Sequence, residues 1–127
     1  MKKRPKILVV GSLVMNQIAV TSEVPEEGNT ILGTSFHKSP GGRGANQAVQ
    51  MARLGADVTF VGKVGRDANG DELLEFCKKA GIRTGRIRYD DVSATGCSVV
   101  ALQVIPGEKP KKRSIVIPGA NMTMTLE

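Results

Sequence analysis

The sequence predicts an α/β fold: a partial parallel sheet with helices, carrying two inserted β-ribbons. Three observations predict it. Short apolar runs alternate with helix-period segments between residues 6 and 90, the rhythm of right-handed βαβ units. Gly55 and Gly81 follow the two helix-period segments, where a left-handed residue closes a helix. Two further stretches, 13–39 and 97–117, have strand character and turn residues but no helical period, as inserted ribbons do. With 127 residues, the chain is one domain or a piece of a larger one, able to bury roughly two-thirds of its unfolded surface.

The elements follow in order. Lys6 to Val10, apolar from Ile7 onward and ended by Gly11, has the pattern of a strand buried on both faces of a parallel sheet. Ile18 and Val20 alternate with polar neighbours, Pro25-Glu26-Glu27-Gly28 turns, and Thr30-Ile31-Leu32 resumes an extended course. Ala45, Ala48, Val49 and Ala52 recur at helical spacing and define a helix over 45–54. Val58 to Val61 is a second buried strand, and Gly62 to Gly70 reads as a glycine-punctuated loop. A second helix, 69–80, places Leu73, Leu74, Cys77 and Ala80 on one face, and Ile87 and Tyr89 suggest a third strand.

The last third loses this alternation. Cys97 to Ile105 is strand-like, Pro106 to Pro110 turns, and Ser114 to Ile117 returns as a hairpin. Gly119-Ala120-Asn121 is a small-residue turn, and Thr123 or Thr125 is placed to cap a helix beginning near Leu126. A three-stranded parallel sheet has an unfinished edge and an exposed face. The chain is therefore expected to be part of a protein, with α/β core segments 6–12 and 41–90 and ribbon segments 13–39 and 97–117.

Composition narrows the function. No apolar run approaches the roughly 20 residues of a membrane span. Ile7 to Val10, behind the basic start Met1-Lys2-Lys3-Arg4-Pro5, is too short for a signal-peptide core, so a cytoplasmic protein is expected. Cys77 and Cys97 stand 20 residues apart and His37 is the lone histidine, which excludes a zinc site built from this chain alone. Both cysteines read as packed thiols. The net charge of +6 is concentrated in Lys2-Lys3-Arg4 and Lys109 to Arg113, and the four aromatics, Phe36, Phe60, Phe76 and Tyr89, do not interleave with either cluster. A nucleic-acid stacking platform needs that interleaving, so a solvated basic surface is the better account.

Gly41-Gly42-Arg43-Gly44-Ala45-Asn46 runs a glycine turn straight into the first helix. Glycine permits positive φ and close approach of backbone to a ligand, and a helix start offers unpaired N–H groups and a positive dipole end. The residues alone leave two readings: a turn that starts a helix, or a cradle for a polyhydroxylated or anionic small molecule. Asp67 and Asp71, the carboxylates of the second glycine-rich segment, read as capping and solvating groups.

Four blocks now resemble a known family: Gly11-Ser12-Leu13, Pro40 to Ala48, Val61 to Asp71, and Ile117 to Asn121. Asn46, Gly55 and Gly65 match the spacing of its glycine–asparagine motif. The family is the ribokinase-like carbohydrate kinases, of which this chain is similar to the N-terminal portion, about two-fifths of a typical member.

The resemblance implies a partial Rossmann-like domain with a small β-lid, for which the ribbons 13–39 and 97–117 are the counterparts, and a homodimer formed through that lid. It implies a sugar substrate held by the loop after the first strand, here Val14, Met15 and Asn16. The glycine loop, here Gly41, Gly42, Arg43, Gly44, Ala45 and Asn46, holds the sugar with it. The implied reaction is transfer of the ATP γ-phosphoryl group, with Mg²⁺, to a primary sugar hydroxyl, O5 of D-ribose being the expected acceptor.

Asn16 stands where the family usually has Asp, Val14 where Asn is frequent, Asn29 where Glu is frequent and Arg43 where Lys is frequent. A carboxylate accepts sugar hydroxyls more strongly than an amide, and Arg43 is a planar fork where Lys is a point charge. The family's catalytic Gly-Ala-Gly-Asp turn is absent, as are its adenine segment and any Gly-x-x-x-x-Gly-Lys-Ser/Thr loop. No catalytic residue and no metal ligand is expected in this chain, which should be inactive by itself. The alternative is a non-catalytic sugar-binding or lid-assembly module, or a kinase for another sugar or a nucleoside.

Overall fold

The structure, a computed structural model, describes residues 3–125. In chain order the elements are strands β1 (Lys6–Val10), β2 (Val14–Thr21) and β3 (Ser35–Gly41), then helix α1 (Arg43–Arg53), strand β4 (Asp57–Gly65) and helix α2 (Ala68–Lys79). Strands β5 (Ile87–Asp90), β6 (Cys97–Gln103) and β7 (Lys111–Ile117) follow, then a 3₁₀ turn, Gly119–Thr123.

These strands build two sheets. One is parallel, in the order β1-β4-β5; the other is mixed, in the order β3-β2-β6-β7, with β2 and β6 parallel and the other pairs antiparallel. The fold is thus α/β with a partial parallel sheet and a separate β-layer, and the two ribbons share that second layer.

Strand alternation decides what is buried. Val9 from β1 and Val58, Phe60 and Val64 from β4 point to one face, where they meet Ala45, Ala48 and Val49 of α1 and Leu73, Leu74 and Cys77 of α2 in one core. Both helices therefore lie on the same side of the parallel sheet. The opposite face carries Leu8 and Val10, 64% and 61% exposed, beside their partners Thr59 and Val61. This corrects the expectation that the first strand is buried on both faces, because both helices cover the same side. A broad hollow of about 680 Å³ lies on the bare face, bordered by Lys6, Arg83 and Arg86.

Local chemistry sets the helix ends. Asp67 caps α2, its carboxylate accepting the Gly70 amide at 2.8 Å, and Gly81 (φ 85°) follows its end. Gly55 (φ 101°) does the same after α1. That helix begins two residues earlier than its apolar period suggests, because Arg43 and Gly44 join the first turn above Gly42.

Three further expectations change. Thr30–Leu32 is not a strand, and Leu32 is 95% exposed. Pairing resumes only at Ser35 opposite Val20, since β2 ends at Thr21 and leaves Thr30–Leu32 no partner. Gly62–Gly65 is not loop but the end of β4, paired with Ile87–Asp90; a Cβ at Gly62 would crowd the Phe60 ring, 2.6 Å away. The helix expected near Leu126 lies outside the described residues, and Thr123 instead donates its hydroxyl to Ala120 within the 3₁₀ turn, at 2.7 Å. No helix among the described residues is long and apolar enough to cross a membrane.

Candidate functional site

Two chain crossings between the layers create the candidate site. Gly11–Leu13 carries the chain from β1 to β2, and Gly41–Gly42 carries it from β3 into α1. Register holds them together: Val14 pairs with Gly41, Met15 with Pro40 and Asn16 with Ser39. Gly42 is forced to φ 106°, a region that side chains resist. A Cβ on Gly44 would stand 3.0 Å from the Gly11 Cα, so the two glycines let the crossings touch.

The start of α1 is open. Gly42 has no side chain to cap it, and the first helical bond runs from the Asn46 amide to the Gly42 carbonyl at 2.9 Å. The preceding N–H groups have no intrahelical acceptor, and the dipole makes this end attractive to oxygen lone pairs and anions. The Asn16 side chain lies against Gly41, where a Cβ would stand only 2.5 Å from its Nδ2. Its Oδ1 accepts the Ser98 hydroxyl at 2.6 Å. With that oxygen engaged, the amide offers N–H donors towards the glycine turn.

The expected site residues divide by burial. Met15 is fully buried, Ala45 is 1% exposed and Val14 8% exposed; with buried Gly41 they shape the crossing from behind through backbone and packing. Asn16, Gly42 and Gly44 are half-buried, while Arg43 and Asn46 are exposed. The side chains free to meet a ligand are therefore those of Asn16, Arg43 and Asn46.

Ser98 escaped the sequence reading. It meets Asn16 across 82 positions, through parallel pairing of β2 with β6, and a lone serine in a strand carries no local signal of that. It also extends the site: Asn16, Ser98, Ser114 and Lys112 line a groove of about 210 Å³ rising along the lid sheet.

The acidic residues of the second glycine-rich segment serve structure. Burial alone would raise the Asp67 pKa, but the Thr95 hydroxyl and the Thr95 and Gly70 amides, all donating to its carboxylate, hold it below the usual range. Asp71 accepts the Tyr89 hydroxyl at 3.0 Å, and Arg66 lies 5.1 Å from that ring's centre. Burial pushes the Cys77 thiol up to about 11, so it is inert at neutral pH. Among the described residues no three His, Cys, Asp or Glu side chains converge as a metal-binding set.

Residues 4–122 match the pfkB family carbohydrate kinases. A ribokinase of Bacillus subtilis (strain 168) is 40% identical over 119 residues, covering 94% of this chain and 39% of the relative. A ribokinase of Mus musculus is 36% identical over 121 residues, covering 95% and 36%. The structure of Arabidopsis thaliana ribokinase complexed with ribose and ATP superposes with a TM-score of 0.82 at 32% identity, covering 94% of this chain and 38% of that one. The chain thus spans about two-fifths of the length of the relatives it matches.

Proposed function

The chain belongs to the pfkB family of carbohydrate kinases, and from that membership we propose that it forms the sugar-binding N-terminal part of an ATP-dependent kinase. The proposed reaction moves the γ-phosphoryl group of ATP to a primary sugar hydroxyl, with O5 of D-ribose as the acceptor. One observation carries the reading: the uncapped start of α1 at Gly42 opens beside the Asn16 amide, at the seam of the two layers. The backbone N–H groups at the start of α1 and the Asn16 amide are then neighbours, through the contact of Asn16 with Gly41. They supply directional donors for several hydroxyl oxygens.

ATP and Mg²⁺ belong to this proposal, and when bound they supply the phosphoryl group and its charge neutralisation. This polypeptide's part is to bind and orient the sugar. The phosphoryl chemistry is assigned to the portion of the relatives that the chain does not span, so the isolated polypeptide is expected to release no ADP with ribose.

The proposed homodimer uses the lid. Strand register puts Phe36, Val99 and Ile115 on one sheet face, and they are 63%, 51% and 68% exposed, an apolar patch of the kind that marks contact surfaces.

The test is titration calorimetry of the chain with D-ribose. Asn46→Ala removes an exposed donor and acceptor and is expected to weaken binding several-fold. Asn16→Asp restores a carboxylate and should strengthen it by about 1 kcal/mol or more, since hydrogen bonds to charged groups exceed neutral ones. Identical isotherms for all three proteins would return the glycine turn to a plain helix start.

A further inference from the structure

Asn121 is absent from the site as described, yet its side chain reaches back 108 positions to the first crossing. Its Oδ1 accepts the Leu13 amide at 2.9 Å, and its Nδ2 donates to the Leu13 carbonyl at 2.9 Å and to the Pro118 carbonyl at 2.8 Å. Both backbone groups of one distant residue are thus held by one carboxamide, which alone combines an acceptor with two donors in that geometry. The Leu13 side chain is fully buried, so the residue is fixed through backbone and side chain alike. Space for the clamp comes from Gly96, where a Cβ would collide with the Asn121 Nδ2. The Gly96 carbonyl itself accepts the Met15 amide at 2.9 Å.

The gripped peptide is the floor of the glycine turn. A Cβ on Gly42 would collide with the Ser12 carbonyl oxygen and stand 3.4 Å from the Leu13 Cα. Leu13 also leads directly into Val14, Met15 and Asn16. Resting on the sugar-site reading above, we propose that Asn121 is a positioning residue of that site. By fixing the Ser12–Leu13 peptide it sets where the open start of α1 and the Asn16 amide stand relative to a bound sugar. It touches no ligand itself.

The test compares the full chain with Asn121→Ala and Asn121→Asp by amide NMR and by D-ribose calorimetry. Asn121→Asp is near-isosteric and keeps the acceptor for the Leu13 amide while losing both donations. The expected result is shifted resonances for residues 13–16 and 42–44, unmoved resonances in α2, and ribose binding weakened about tenfold by Asn121→Ala and at least as much by Asn121→Asp, whose second carboxylate oxygen faces the Leu13 and Pro118 carbonyls. Shifts confined to 117–123 with a wild-type isotherm overturn the proposal, as does a lowered Tm with unchanged affinity. If Asn121→Ala does not fold, Asn121→Asp decides by the same criteria. If the unmodified chain gives no heat with ribose, the sugar reading fails. The amide shifts then decide alone: movement at 42–44 supports the clamp, and its absence refutes it.

Discussion

In the α/β layer, Val58, Phe60, Val64, Leu73 and Cys77 are completely buried, whereas every residue of β7 in the lid sheet is exposed. The two layers are similar in size but held by different forces. The first is held by apolar packing of two helices onto one sheet face. The second is held by strand pairing along four strands, from which Met15 of β2 reaches the shared core. The candidate site lies where they exchange chain, so its glycine turn is anchored on the packed side and its Asn16–Ser98 pair stands on the paired side.

The largest expected effect tests the difference directly. Leu73→Ala opens a cavity in the packed layer and should cost about 2–5 kcal/mol. Ile115→Ala, on the exposed lid face, should change the stability of the dilute, monomeric chain by no more than about 0.5 kcal/mol. Urea unfolding of both variants measures the contrast. At concentrations where the proposed lid-mediated homodimer forms, Ile115→Ala should show an added, protein-concentration-dependent loss; a large loss that does not depend on concentration would break the contrast.

A smaller effect is expected where the layers are tied by Asp67. Its carboxylate receives the α2 amide of Gly70 and both the amide and hydroxyl of Thr95, the residue before the Gly96 that supports β2. Asp67→Asn keeps the shape and loses the charge, and should cost about 1 kcal/mol at neutral pH. Because the folded pKa is lowered, the carboxylate's contribution is full above its unfolded value of about 3.9. It is lost as pH falls from there through the folded value. The stability gap between wild type and variant should therefore be constant from neutral pH down to about 5 and close in stronger acid. Acid titrations followed by circular dichroism measure it. A gap that persists unchanged to pH 2 would refute the role of the charge.

How much of this was legible depended on distance along the chain. Helix α2 was readable because its cap, its apolar period and its terminal glycine all lie within residues 67–81. The glycine turn was readable for the same reason. Several features depended on partners far away in sequence. Gly62–Gly65 became strand only because β5 pairs with it, and Leu8 and Val10 stayed exposed only because both helices chose the other face. The Asn16–Ser98 bond rests on a parallel pairing between β2 and β6, which no local pattern of Asn or Ser encodes. The residues expected at the site were named as a group; burial then separated Met15 and Ala45, which pack, from Asn16, Arg43 and Asn46, which can meet a ligand.

The smallest expected effect sharpens what joins the layers. Lys38 of β3 and Glu72 of α2 form an ion pair at 3.0 Å, with side chains 31% and 54% exposed. It bridges lid and helix across 34 positions, and a simple reading would make it the strut that holds the lid down. Exposure argues otherwise. Solvent screens the attraction, and ordering two long side chains offsets much of what remains, so exposed pairs contribute about 0.2–1 kcal/mol. Glu72→Gln should therefore shift the urea midpoint only slightly, by less than Asp67→Asn, and half a molar of added salt should erase the difference. The chain crossings at Gly11–Leu13 and Gly41–Gly42 and the Asp67–Thr95 tie remain intact in that variant, and they are what should keep the layers joined. If Glu72→Gln instead destabilises the chain as much as Leu73→Ala does, then the lid is held by charge and the contrast between the two layers fails.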